Sequence, residues 1–250
     1  MPSLVAEYLS ELTLRLEAQL ERRLAGAWLI GSGALGDFDA LRSDVDVQAV
    51  STMRLARPEL ERLAAALSHP ALRCPVCGLE FVLYAREDLL DVHGPAFQLN
   101  LNTGPRMEHH VGYEPDAEPR FWFVLDTADH PRARPPPCGA FPHRAAAPAA
   151  AAARAVRAAR RARLDGGYDG AEAVLAACRA WAWARHGRWL SKGDAAAWAA
   201  AQLPDPTPVA KALARRADPA TSAPTASEVE AVLKPVERLL AAPANRPAPD

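Results

Sequence analysis

The sequence predicts an α/β domain followed by an all-α helical bundle domain, and three observations carry that expectation. Residues 44–50 alternate polar and apolar positions with the two-residue period of a strand, residues 79–84 read as a largely apolar strand, and a helical pattern lies between them. The run Pro131-Arg132-Ala133-Arg134-Pro135-Pro136-Pro137 then imposes extended, non-helical chain. Beyond it helix formers dominate to the end. The boundary is placed near the close of the proline-rich stretch, giving residues 1–144 and 145–250. The first is expected to hold a small mixed sheet with flanking helices.

The elements follow in order. Within residues 4–24, Val5, Tyr8, Leu9, Leu12, Leu16 and Leu20 share one helical face, and Gly26 is expected to close that helix. The apolar run Ala27-Trp28-Leu29-Ile30 enters Gly31-Ser32-Gly33-Ala34-Leu35-Gly36, which is too rich in glycine to predict a regular element. In 44–50, Asp44, Asp46 and Gln48 point one way and Val45, Val47 and Ala49 the other, the pattern of a half-buried strand. Pro58 suits the first turn of a helix carrying Leu60, Leu63, Ala64 and Leu67. Leu79 to Tyr84 reads as a strand with Glu80, Val82 and Tyr84 on one face, and Phe121 to Leu125 as another. Helices are expected at 149–163, 170–186, 194–202, 207–216 and 226–241. Ser227 with Glu230 would form a capping box for the last, and Pro235 would kink it. No internal repeat is present.

Half of the 250 residues are hydrophobic and 24% are charged, an ordinary globular composition able to bury a real core. The formal net charge of −1 argues against a dedicated nucleic-acid binder. No apolar run approaches the ~20 residues that span a bilayer. The N-terminus lacks the basic and apolar regions of a signal peptide, so a cytoplasmic monomer is expected. Of the cysteines Cys74, Cys77, Cys138 and Cys178, the first two have half the spacing of a zinc site. No second pair follows, and His93, His109 and His110 fit no zinc template, so two reduced thiols at a strand entrance are expected.

The segment that carries chemistry is Gly31-Ser32 followed, after eleven residues, by Asp44-Val45-Asp46. Carboxylates at i and i+2 of a strand share a face, with Cα atoms ~6.5–7 Å apart. That suits two Mg²⁺ ions ~3.5–4 Å apart, one activating an attacking oxygen and one holding phosphates. The Gly-Ser turn offers N–H groups and a hydroxyl to a triphosphate where a larger side chain would crowd it. Glu80 is a carboxylate on an otherwise apolar strand. It is either a solvated edge residue or a metal ligand or general base, its pKa raised by burial or by the two aspartates.

Strand, Gly-Ser turn and Asp-x-Asp strand together resemble the DNA polymerase β-like nucleotidyltransferase superfamily. The resemblance implies that Asp44 and Asp46 bind the metals, while Gly31, Ser32 and Ser43 contact nucleotide phosphates. The later segment is similar to the helical C-terminal domain of the aminoglycoside (3″)(9) adenylyltransferases, the streptomycin/spectinomycin adenylyltransferases. It comprises Ala173 to Trp181, then Gly187, Ser191-Lys192-Gly193-Asp194, Trp198 and Leu203-Pro204. This implies Glu80 as catalytic base, with ATP as co-substrate; metal ligation by Glu80 rests on its place beside the aspartates. It also implies that Arg179 and Lys192 reach the ATP phosphates, and that Asp169 and Asp165 bind the cationic drug.

Two departures bear on the acceptor. A tryptophan that packs on streptomycin in that family falls at Arg160, and a second pocket aromatic falls at Asn102. The expectation is therefore Mg²⁺-dependent transfer of AMP from ATP to a hydroxyl of an aminoglycoside or aminocyclitol, spectinomycin rather than streptomycin. The alternatives are the same chemistry on a non-antibiotic metabolite or protein hydroxyl, and a catalytically silent binding homologue. His93, His109 and His110 read as ordinary loop residues. Trp181, Trp183, Trp189 and Trp198 read as helical core and cleft wall, and the arginines between 154 and 163 as a solvated helix face.

Overall fold

The computed structural model describes residues 2–87, 97–113, 170–186 and 190–241. The chain divides into two compact units, residues 1–147 and 148–250. The expected strand at 121–125, the expected helix at 149–163 and the 131–148 segment lie outside the described residues.

The first unit begins with helix α1 (Ser3–Leu20), whose buried residues Val5, Tyr8, Leu12, Leu16 and Leu20 recur at helical spacing. The helix does not run to Gly26. It stops at Glu21, which takes a left-handed φ of 51° and leads through one 3-10 turn (Glu21–Arg23) into strand β1 (Leu24–Leu29). Gly26 is inside that strand, at an irregularity of its pairing. The glycine-rich run is also regular: Gly31–Leu35 forms a short helix, α2, closed by Gly36 at a φ of 80°. Strand β2 (Val45–Ser51) follows, then helix α3 (Arg57–Leu67) and strand β3 (Leu79–Ala85). Pro58 sits in the first turn of α3, where its missing N–H costs nothing. Strands β4 (Leu99–Gly104) and β5 (Met107–Gly112) complete the sheet as a hairpin that the sequence reading missed, so His109 and His110 are strand residues and not loop residues.

The sheet order is β1-β2-β3-β4-β5, with β2 and β3 parallel and the other neighbours antiparallel. The parallel pair is joined by α3, because parallel neighbours need a long crossover that returns the chain to the same end. One face carries Val45, Val47, Ala49, Leu79, Phe81, Leu83, Leu99 and Leu101, in one core with the buried residues of α1 and α3. The opposite face is apolar only over part of its area, where Trp28, Ile30, Val50, Val82, Tyr84 and Phe97 cluster. The remainder of that face is polar.

The second unit contains helices α4 (Gly170–His186), α5 (Lys192–Ala200), α6 (Thr207–Ala217) and α7 (Ala226–Ala241). Helix α4 touches α5, α6 and α7. Its contact surface is built largely of alanines, including Ala173, Ala177, Ala182, Ala195, Ala196, Ala199 and Ala212. Part of the alanine excess is thus a core of small side chains, and small side chains let helix axes approach closely. The cap of α7 lies two residues before the expected one. Thr225 Oγ1 accepts from the Glu228 N–H (3.4 Å), and the Glu228 carboxylate accepts from the Thr225 N–H (2.7 Å). The helix continues through Pro235, at the cost of the hydrogen bond that residue would have donated to the Ala231 carbonyl.

Candidate active site

The site is built on the half-polar face of the sheet. Strands β2 and β3 run parallel with Asp46 in register with Glu80, and Asn102 and His110 continue the same row across β4 and β5. Residues opposite one another in register point to the same side. Asp44 precedes β2 by one residue. The carboxylates of Asp44, Asp46 and Glu80 each offer an oxygen within 4.8 Å of the others, the group of this kind found among the described residues. Asp44 and Asp46 are half-buried and Glu80 is exposed. The Glu80 carboxylate is therefore open to solvent and stands beside the two aspartates.

Gly31 begins α2 directly after β1, where the Ile30 N–H donates to the Asp46 carbonyl (2.9 Å). Its φ is +61°, and a Cβ there would collide with Asp46 Oδ2 and stand 2.7 Å from Asp46 Cγ. Glycine is thus required twice, by conformation and by space. Ser32 Oγ is buried and has no hydrogen-bond partner among the described residues. A buried hydroxyl without a partner costs free energy unless a ligand or water satisfies it. It lies one residue beyond the glycine that touches Asp46, so the chemistry of the site fits a phosphate beside the carboxylates.

Ser43 is buried and has a bracing contact in this structure. Its Oγ accepts from the Asp39 N–H (3.0 Å), and its N–H donates to the Asp39 carbonyl (2.6 Å). Asp39 also accepts from the Leu41 N–H and from the Arg42 guanidinium. The loop between α2 and β2 is therefore tied to itself immediately before Asp44. The Gly78 carbonyl accepts from the Val45 N–H (2.8 Å), which fixes the start of β2 against the approach to β3 and so aligns Asp44 and Asp46 with Glu80.

Arg179 and Lys192 belong to the second unit. Arg179, on α4, donates from Nε to the Leu190 carbonyl (3.0 Å), and Lys192, the first residue of α5, pairs with Glu172 on α4 (2.6 Å). The two cations therefore flank one junction, between α4 and α5. Trp181 and Trp198 meet edge to face at 5.4 Å, and the His186 ring lies 5.1 Å from Trp198. Asp165, Asp169 and Arg160 lie outside the described residues.

Residues 145–242 match the family model of the aminoglycoside adenylyltransferase C-terminal domain. Over that helical part the chain is similar to the aminoglycoside adenylyltransferases. The fold agrees with this over nearly the whole length. A crystal structure of spectinomycin adenyltransferase AAD(9) from Enterococcus faecialis, with ATP and spectinomycin, superposes with a TM-score of 0.65 at 13% identity. The match covers 94% of this chain and 98% of that one. A comparison with curated protein sequences returns no match. No described helix is long and apolar enough to cross a membrane.

Sequence reasoning did not bring Asn102 and His110 to this row. The signal was present in Leu99-Asn100-Leu101-Asn102-Thr103, an alternation whose leucines are buried and whose asparagines are half-buried.

Proposed function

We propose that this chain is a nucleotidyltransferase that transfers AMP from ATP to a hydroxyl of an aminocyclitol or aminoglycoside antibiotic, with spectinomycin preferred over streptomycin. The observation that carries the reading is the convergence of Asp44, Asp46 and Glu80 from two parallel strands, beside a glycine whose Cβ would displace one of them. Three carboxylate oxygens with room for phosphate oxygens are the donor set that Mg²⁺ prefers. Bound at these residues, two Mg²⁺ ions would supply Lewis-acid stabilisation of the charge on the phosphoryl oxygens.

The residues of the chain do the rest. Gly31 admits the triphosphate, and the Ser32 hydroxyl donates to one of its oxygens. Glu80 accepts the proton of the acceptor hydroxyl as that oxygen attacks the α-phosphorus. The bond to the β-phosphate oxygen breaks and pyrophosphate leaves. Ser43 holds Asp44 in place and is a further candidate phosphate contact. Arg179 and Lys192 neutralise the departing pyrophosphate, Lys192 exchanging Glu172 for phosphate oxygens. Asp165 and Asp169 hold the ammonium groups of the acceptor. Arg160 and Asn102 stand where the resemblance expects aromatic residues of the streptomycin pocket, which counts against streptomycin and also favours the alternative of a non-antibiotic acceptor.

Pyrophosphate release from MgATP, measured with spectinomycin, streptomycin and a panel of other hydroxylated amines, tests the proposal. Release with spectinomycin exceeding that with streptomycin is expected. Release only with acceptors outside the aminoglycosides would reassign the substrate. No release with any acceptor, together with no Mg²⁺-dependent ATP binding, would overturn the reaction itself.

A further inference from the structure

We propose that Cys74 and Cys77 form a redox modification site, in which a small-molecule disulfide converts the two thiols to an intramolecular disulfide and loosens the loop carrying Asp44. Both cysteines are free thiols, separated by two residues at a run of bends, with Pro75 between them restricting the backbone. They differ in environment. Cys77 is half-buried, and its Sγ donates to the Leu41 carbonyl at 3.5 Å. Cys74 is buried in the core of α1, α3 and the sheet. Burial raises the Cys74 pKa, and the nearby negative charges of Cys77 and Asp44 add to the effect, while the Val76 N–H and the Tyr8 side chain oppose it. The accessible thiol is thus Cys77, and the one held back is Cys74, the division of labour of an attacking and a resolving cysteine.

The chemistry balances with an external disulfide of the oxidised-glutathione class. The Cys77 thiolate attacks one sulfur of the reagent, forming a mixed disulfide and releasing one thiol. Cys74 then loses its proton, attacks the Cys77 sulfur and displaces the second thiol. The protein loses two electrons and two protons, and the reagent gains them.

The connection to the site is short. Leu41 lies in the loop braced by Asp39 and Ser43 that ends at Asp44, and a disulfide sulfur has no hydrogen to donate to its carbonyl. The other side of the Cys-x-x-Cys turn cannot follow. The Cys77 carbonyl accepts from the Arg106 N–H (3.1 Å), and Gly104 approaches Gly78 and Cys77 so closely that a Cβ would collide with both. Closing the ring therefore moves the Cys77 side chain off Leu41 while the backbone toward β3 and Glu80 stays fixed. The consequence for Mg²⁺ rests on the metal reading of Asp44 proposed above. The modification itself does not.

Two readouts keep these apart. The full chain treated with oxidised glutathione is expected to lose two hydrogens by intact mass, with the bond mapping to Cys74 and Cys77. Dithiothreitol reverses it, and Cys77→Ser prevents it. Calorimetry of ATP binding is expected to show a several-fold rise in the Mg²⁺ concentration needed by the oxidised wild type, and none in treated Cys77→Ser. An unchanged mass, a persistent glutathione adduct, or a bond to Cys138 or Cys178 would overturn the site. A Cys74–Cys77 bond with unaltered Mg²⁺ dependence would overturn the coupling to Asp44.

Discussion

Asp46 and Glu80 are 34 residues apart in sequence and side by side in the sheet, and this one register pairing decides what the site can do. A glutamate in that position with an exposed carboxylate is suited to take a proton from an incoming hydroxyl. Replacing it with Gln retains an oxygen but removes the basicity. Glu80→Gln is expected to lower the rate of adenylyl transfer by roughly 10²–10⁴-fold, with ATP affinity by calorimetry nearly unchanged. Full activity would show that the base lies elsewhere. Gly31→Ala confronts a positive φ and the Asp46 carboxylate together. It is expected to cost about 1 kcal/mol or more of stability, and to abolish Mg²⁺-dependent ATP binding because Asp46 must move. A variant with wild-type melting and binding would refute the role of that contact. The aspartate pair was legible in the sequence because strand periodicity alone puts i and i+2 on one face. Glu80 was legible only as an unexplained charge until the family resemblance assigned it a role, and whether it was exposed was left open. Its strand neighbours are apolar on both sides, but only one sheet face is fully covered at that end.

In the second unit α4 and α7 have the expected bounds, α6 runs one residue past its expected end, and α5 is displaced by two residues. Helix α5 starts at Lys192, two residues before the expected start at 194, because Ser191 caps it. The buried Ser191 Oγ accepts from the Asp194 N–H (3.0 Å) and also bonds the Asp194 carboxylate (2.9 Å). Ser191→Ala is expected to destabilise the chain by about 1 kcal/mol, read by denaturant unfolding, and to disturb Lys192, which the cap orients. An unaltered midpoint would show that the cap contributes nothing. Strands β4 and β5 escaped for a different reason. Their connection is the tight turn at Pro105 and Arg106, and β5 exposes Glu108, His109 and His110, so its residues look like loop. Edge strands commonly carry such charged and polar side chains, which discourage further pairing. The short helix α2 escaped because glycine propensity argues against it, yet its position at the end of β1 overrides propensity.

Across the molecule, charge pairs link helices that are distant in sequence. Lys211 on α6 donates to the Glu228 carboxylate on α7 (2.6 Å). This bond, followed by the N–H and hydroxyl of Thr225, holds the Glu228 pKa down at about 2, against an ordinary 4.5. A carboxyl depressed in the folded state contributes stability that is complete above pH 4.5 and is lost as pH falls toward 2. Because the group is partly exposed, the effect is expected to be modest. Thermal melts of Glu228→Gln should show a shallower loss of stability over that interval than wild type. Identical acid limbs would exclude the pair as a contributor. By itself the sequence determined the division into an α/β part and a helical part, and it determined the paired aspartates and the glycine-serine pair before them, though not the helix that pair begins. These depend on periodicity, composition and short spacings, which act locally. The tertiary structure decided that Glu80 joins the aspartates, that Asn102 and His110 extend their row, that Gly31 abuts Asp46, and that Thr225 rather than Ser227 caps the last helix. Those outcomes depend on strand register and on which side chains compete for a backbone N–H, and both are fixed only when segments far apart in the chain are packed against one another.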